Sequence, residues 1–167
     1  MNPSQITVRQ DRRWFGLALR HLRMASRLLR AGFADGATFH TYHAYECILS
    51  AFIASKGYPV PPDGQTTIQL PTGKTAKVYQ LPSGPNREPS AHKVRIIFFD
   101  ELADATKAYY RTHRNLRRTI SIKDRMDSLY YNAALDLSPY DRYPASYAQG
   151  CFATVQIFAQ EVRPVIA

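Results

Sequence analysis

Residues 10–31, QDRRWFGLALRHLRMASRLLRA, decide the fold class of this 167-residue chain. Their apolar side chains recur mostly at three- and four-residue intervals, the period of an amphipathic α-helix. These side chains are Trp14, Leu17, Ala18, Leu22, Ala25, Leu28 and Leu29. Gly32 follows as a natural stop. The segment therefore predicts a first helix over residues 10–31.

A second helix is predicted after a short turn. Asp35 can cap its N-terminus, and Gly57 with Pro59 ends it near Lys56. Its apolar face consists of Tyr45, Ile48, Leu49, Phe52 and Ile53. Because the connection is short, we expect the two helices to form an antiparallel hairpin.

The segment 58–89 has a different character. It holds seven prolines, and two short extended runs, TTIQL and AKVYQL, flank PTGKT. This pattern predicts a β-hairpin with Gly73 in its turn. Two strands cannot bury a core alone, so the segment is interpreted as an insertion and not as a second domain.

The remainder of the chain is predicted to be largely helical. A third helix starts near Ser90 and either continues or bends near Asp104 toward Ile120, and another helical piece follows Ser121. A loop over 132–144 precedes a final amphipathic helix whose apolar residues run from Ala148 to Val162. We therefore predict one all-α domain over 1–167, a bundle of four to five helices with a β-hairpin between helices two and three.

Positive charge is concentrated in two segments. The chain has a net charge of +9, and 16 of its 22 basic residues are arginines. Residues 9–30 and residues 107–125 each carry seven basic residues against one acid, so each segment is net +6 and the remainder is net −3. Arginine suits bidentate contact with phosphate, so the charge pattern indicates an anionic partner.

The compartment is predicted from what the sequence lacks. No stretch approaches the roughly 18–20 apolar residues of a membrane span, and the N-terminus has no apolar signal core. Cys47 and Cys151 lie in apolar helical patterns and are expected to be buried thiols, not a disulfide. We therefore expect a cytoplasmic protein with no membrane partner.

The order of several motifs resembles that of HEPN domains. They are the amphipathic first helix, the second helix HAYECILSAFIASKGYPVP (43–61), His92 opening the third helix, and the RxxxxY stretch from Arg125 to Tyr130 before a final apolar helix. HEPN domains are helical bundles of prokaryotic toxin–antitoxin and antiphage systems. The resemblance covers most of the chain apart from the hairpin and the first few residues, and it implies a homodimer.

The resemblance also implies a chemistry. Many HEPN proteins are metal-independent endoribonucleases that use an Arg and, four to six residues later, a His, completed across a dimer interface. The Arg neutralises the scissile phosphate, and the His moves a proton during attack by the ribose 2′-hydroxyl. Arg87 and His92 meet this spacing, although Pro89 lies between them and the family motif sits near later helices. The alternative is a loop arginine and a helix-start histidine without a joint role.

A second catalytic candidate lies among the arginines of residues 107–125. His113 is flanked by Arg111 and Arg114, which could supply the cation that an acid–base histidine needs. His21 also has arginine neighbours, but it falls in line with the apolar stripe of the first helix and is expected to pack in the bundle.

A basic stripe is the candidate for RNA binding. Its cations follow one another at four, three and four residues, hence on one helical face, with Tyr109, Tyr110 and His113 nearby. The stripe consists of Lys107, Arg111, Arg114 and Arg118. Aligned charge with interleaved aromatics is typical of single-stranded RNA binding, and a solvated surface face is the alternative. The exposed arginines of the first helix are expected to assist.

Two further sets of residues leave alternatives open. Arg125 with Tyr130 matches the family's RxxxxY feature, either as a nucleotide contact or as an arginine stem packed on an aromatic ring. His40, His43 and Cys47 share a face of the second helix and form a weak metal-ligand candidate. Otherwise, small residues there permit close helix packing while the histidines hydrogen-bond within the bundle. No cofactor is predicted.

These patterns together predict an RNA-binding HEPN-like protein. If the protein is an enzyme, the expected activity is that of a metal-independent endoribonuclease. The alternative is a non-catalytic HEPN-like module that binds a protein partner, such as a nucleotidyltransferase or a defence-complex subunit.

Overall fold

The computed structural model describes residues 3–61, 67–69, 73, 75–77, 90–106, 110–120 and 142–166. Five α-helices lie within these ranges: α1 (Pro3–Arg30), α2 (Ala34–Ser55), α3 (Ser90–Ala105), α4 (Arg111–Thr119) and α5 (Ala145–Val162), which a 3₁₀ turn (Arg163–Val165) extends. The predicted all-α class is confirmed. The single-domain organisation over 1–167 stays a prediction.

Two three-residue strands lie between α2 and α3. Strand β1 (Thr67–Gln69) pairs antiparallel with β2 (Thr75–Lys77), and Ile68 is opposite Ala76. Gly73, between them, has a φ of 78°, which glycine adopts without steric cost. These are short pieces of the segment 58–89, most of which lies outside the described residues, so the hairpin insertion as a whole stays a prediction.

Helices α1 and α2 are joined by a Schellman turn. Gly32 adopts a φ of 84°, and the amide of Phe33 donates to the carbonyl of Leu28 at 2.9 Å. The amide of Gly32 donates to Leu29 at 3.2 Å, which completes the motif. The predicted stop at Gly32 is therefore confirmed. Helix α1 begins at Pro3, well before the predicted Gln10, because proline fits the first turn of a helix.

The predicted cap of α2 is wrong. The helix begins at Ala34 with Phe33 at the N-cap position, and no side chain caps it by a hydrogen bond. Asp35 lies inside the first turn instead. Its negative charge there favours the helix through the macrodipole and not through a hydrogen bond to a free amide.

Helix α2 is the centre of the bundle. Sixteen of its 22 residues are buried, and it packs against α1, α3 and α5. Two of its buried hydroxyls bond to their own helix: Thr38 Oγ1 donates to the Ala34 carbonyl at 2.8 Å, and Ser50 Oγ donates to the Glu46 carbonyl at 2.9 Å. These bonds let polar residues occupy the core without losing hydrogen bonds.

The chain bends between α3 and α4, which decides between the two alternatives left open by the sequence. Helix α3 ends at Ala105, and Thr106 closes it with two hydrogen bonds to the Leu102 carbonyl, from Oγ1 at 2.7 Å and from its amide at 3.0 Å. Helix α4 starts at Arg111. The bend allows α4 to pack against α5.

The core contains a cluster of aromatic rings from α2, α3 and α5. The ring of Phe99 lies 4.7 Å from that of Phe52 and 5.7 Å from that of Phe158, between ring centroids. Cys47 and Cys151 are buried free thiols, as predicted. Among the described residues, no helix is long and apolar enough to cross a membrane.

Candidate functional site

Helix α4 has two faces of opposite character. Thr112, His113 and Leu116 are buried, whereas Arg111 and Arg114 are exposed. Residues three apart on a helix are surface neighbours, with Cβ atoms about 5–6 Å apart. The structure therefore brings together these two members of the predicted basic stripe on the solvent side of α4.

The other members of the stripe are placed less fully. Arg118 belongs to α4, one helical turn beyond Arg114, and Lys107 lies outside the described residues. The nearby Tyr110 does not interleave with the arginines. Its ring packs 5.6 Å from that of Phe52, and burial raises the pKa of its hydroxyl. Tyr110 is therefore partly buried against the core, which leaves charge as the main property of the described part of the exposed face.

His113 lies on the buried side of α4, away from the arginines beside it in sequence. Its residue exposure is 5%, and its ring centroid lies 4.3 Å from that of Phe99. Both ring nitrogens have partners: Nε2 lies 2.8 Å from Asp100 Oδ1, and Nδ1 lies 3.1 Å from the Tyr45 hydroxyl. The structure does not join His113 to Arg111 or Arg114, and His113 lacks the open proton path that the catalytic prediction requires.

The partners of His113 fix its hydrogens and its orientation. A carboxylate only accepts, so Nε2–H donates to Asp100 on α3. In the neutral ring, Nδ1 then accepts from the Tyr45 hydroxyl on α2. On the same side of α4, Thr112 Oγ1 donates to Glu161 Oε1 of α5 at 2.6 Å. These bonds tie α4 to three other helices and hold its arginine face outward.

The remaining predicted catalytic and nucleotide-contact residues lie mostly outside the described part of the chain. Arg87, Arg125 and Tyr130 are among the undescribed residues. His92 lies in the first turn of α3, and its side chain is not described. The Arg87–His92 pair and the Arg125–Tyr130 contact therefore stay predictions.

Three histidines meet where α1 packs on α2, a cluster that the sequence reading missed. The Nδ1 atoms of His21 and His40 lie 2.9 Å apart, and the His21 ring stacks on that of His43 at 5.3 Å. His43 Nδ1 lies 3.5 Å from Glu46 Oε2. The sequence contains a signal for this contact. His21 and His43 lie equally far along the chain from Gly32, the turn of an antiparallel hairpin, so the two helices bring them to the same level.

Burial favours the neutral form of two histidines in this cluster. It lowers the pKa of His21 and of His40, and the nearby His40 lowers the pKa of His21 further against an opposing effect of Glu46. His21 is half-buried, in agreement with its predicted packing in the bundle.

The weak metal candidate on α2 finds no support in the described residues. No group of three or more His, Cys, Asp or Glu side chains in them has the geometry of a metal site. Burial raises the pKa of the Cys47 thiol to about 12, so at neutral pH it is not the thiolate that binds metals. His40 and His43 instead contact His21 of α1.

The fold and the site together define the class of protein: a helical bundle that presents exposed arginines on a helix locked into the core by its other face. A family model for the HEPN domain matches residues 12–84, from α1 past β2. This match covers less than half of the chain and supports the resemblance to HEPN domains that the sequence indicates. No curated protein and no solved structure matches the chain.

Proposed function

We propose that this HEPN-type protein binds RNA through the exposed face of α4. The observation that carries the proposal is the exposure of Arg111 and Arg114, one turn apart, on a helix whose other face is fixed by His113. Each guanidinium can make bidentate contacts to phosphate. The HEPN match supports an RNA-related or nuclease-like module at the level of the family.

Helix α1 extends the basic surface. All of its arginines from Arg12 onward are exposed, including Arg20, Arg23 and Arg27. We propose that these arginines assist binding without base selectivity, because guanidinium contacts to the phosphate backbone carry no sequence information.

The test measures the affinity of a labelled single-stranded RNA as a function of salt. Each phosphate contact contributes about 0.7 to the slope of log affinity against log salt for single strands. Arg111→Glu with Arg114→Glu should therefore lower the slope by about 1.4 and weaken binding strongly. The comparison variant is Arg23→Glu with Arg27→Glu, which changes the net charge equally on α1 and should weaken binding less, because these arginines only assist. Equal losses in both double variants would contradict the assignment to α4.

Catalysis is proposed as the second part of this function. With His113 buried, Arg87 and His92 are the candidates for metal-independent cleavage of RNA. Incubation with labelled RNA in EDTA should yield a 2′,3′-cyclic phosphate, which His92→Ala should abolish. His113→Ala is the comparison, and its effect on cleavage should follow its effect on folding. Absence of cleavage by the wild-type protein would favour the alternative, a non-catalytic module that binds a protein such as a nucleotidyltransferase.

A homodimer is the last part of the proposal, and the HEPN match supports it. A site completed across a dimer interface requires two copies of the chain. Light scattering at micromolar concentration should give twice the chain mass of 19.0 kDa. A monomer at that concentration would remove the shared-site mechanism.

A further inference from the structure

A groove runs between α1 and the C-terminal end of α5. It has a volume of about 630 Å³, within the range of binding clefts. Its floor is apolar. It consists of the buried side chains of Phe15, Leu22 and Ala159 and of Leu19, which is 39% exposed. Polar side chains complete its lining: Arg12, Gln156, Gln160 and Arg163.

The shape of the groove suits a helix. Its lining residues extend over 12–22 of α1 and over 156–166 of α5 and the 3₁₀ turn. At 1.5 Å of rise per residue, the α1 wall is about 15 Å long, close to three helical turns. The groove is open to solvent along one side. A trough of this kind accepts the apolar face of an amphipathic helix, read by anchors at i, i+3, i+4 and i+7.

Gly16 supplies a second observation. It lies in the interior of α1, where glycine disfavours the helix, and it lines the groove. A Cβ built on it meets no atom within 4 Å, so the packing of the bundle does not require a glycine there. The missing side chain lets a partner backbone approach α1 closely, as small residues do between packed helices.

The charge of the groove selects an acidic occupant. Among the residues that the structure describes, its lining includes two arginines and no acidic side chain. The neighbouring acids are engaged elsewhere: Asp11 is buried, and Glu161 accepts a hydrogen bond from Thr112. The described lining offers no exposed ring for base stacking, since its one ring, that of Phe15, is buried, which disfavours RNA as the occupant.

We propose that this groove binds an acidic amphipathic helix of a partner protein. The inference goes beyond the proposed RNA function, because none of the described lining residues belongs to α4. Leucines of the partner would cover the exposed Leu19, and its acidic residues would pair with Arg163.

The test uses the full chain and a synthetic peptide probe. The probe is a fluorescein-labelled amphipathic peptide of about 14 residues, long enough to fill the groove. It carries leucines at i, i+3, i+4 and i+7 and glutamates elsewhere, and binding is followed by fluorescence anisotropy. Gly16→Leu fills the groove and should weaken binding at least about tenfold. The matched control is Gly150→Leu, because Gly150 is also open and helical but does not line the groove.

Further measurements distinguish an acidic partner helix from RNA or a second copy of the chain as the occupant of the groove. Arg163→Glu should weaken the peptide and leave the helical circular dichroism intact, and a scrambled peptide of equal composition should bind at least about tenfold more weakly. The Arg111→Glu and Arg114→Glu double variant should bind the peptide normally, so loss of RNA binding alone leaves this proposal standing. Absence of peptide binding, equal effects of the two glycine variants, or displacement of the peptide by single-stranded RNA would overturn it. A wild-type dimer that Gly16→Leu dissociates would assign the groove to a second copy and overturn it too.

Discussion

Replacing His113 tests the central claim that this histidine holds α4 in place. In His113→Ala the ring that packs between Phe99 and Phe158 is lost, and the Tyr45 hydroxyl and Asp100 lose their nitrogen partner. Truncation of a buried ring of this size costs about 2–3 kcal/mol. A buried polar group left without its partner adds about 1–3 kcal/mol. We expect a loss of about 3–6 kcal/mol in the free energy of unfolding.

A second variant separates packing from hydrogen bonding. His113→Phe keeps an aromatic ring against Phe99 but removes both hydrogen bonds, so we expect a loss of about 1–3 kcal/mol. The free energies come from urea unfolding followed by far-UV circular dichroism. Tyr45→Phe should cost less in the His113→Phe background than in the wild type, because the two changes remove one shared hydrogen bond.

The matched control lies on the same helix. Arg114→Ala changes an exposed residue next to His113 and should stay within about 0.5 kcal/mol of the wild type. If His113→Ala were as stable as Arg114→Ala, the buried position of His113 would be refuted. A catalytic His113 would then regain support, provided that the variant also lost RNA cleavage while fully folded.

Three further predictions follow from individual groups. Burial lowers the pKa of His21 and His40 below 6.5, so their contribution to the free energy of unfolding is fully present above pH 6.5 and is lost as the pH falls. His21→Phe should flatten this decline when unfolding is measured over acid pH, and an unchanged pH profile would contradict the prediction. The Cys47 thiol, whose pKa burial raises to about 12, should react with a disulfide reagent slowly in the native protein and rapidly in urea. Gly32→Ala, at a φ of 84°, should lower the unfolding free energy by about 1–2 kcal/mol, whereas Gly16→Ala should raise it by up to about 1 kcal/mol in the same urea assay.

The sequence predicted the helices with strong apolar periods and the stop at Gly32, because these depend on local spacing and backbone geometry. It gave α2 one apolar face, whereas the structure buries Thr38, Thr41 and Ser50 as well. Burial on all sides arises from three neighbouring helices, and hydrogen bonds to the helix's own carbonyls satisfy the hydroxyls of Thr38 and Ser50. No local pattern reports such neighbours.

The placement of His113 was within reach of the sequence but was missed. His113, Leu116 and Ile120 follow at three- and four-residue steps, so they share the buried face of α4. Grouping His113 with Arg114 relied on adjacency in the chain, although consecutive helical residues do not face the same way. The Tyr45 and Asp100 partners could not be predicted, because they come from helices whose relative rotation only the folded bundle defines.

The shortness of α4 affects how its arginines can work. Nine residues are fewer than the roughly 12–15 that an isolated helix needs in water, so α4 owes its shape to the core beneath it. A free peptide of these nine residues would present the same charges without their spacing. A ligand that depends on that spacing therefore binds only when the whole bundle is folded. Variants with weakened cores should lose binding of such a ligand in proportion to the fraction of chains that have unfolded.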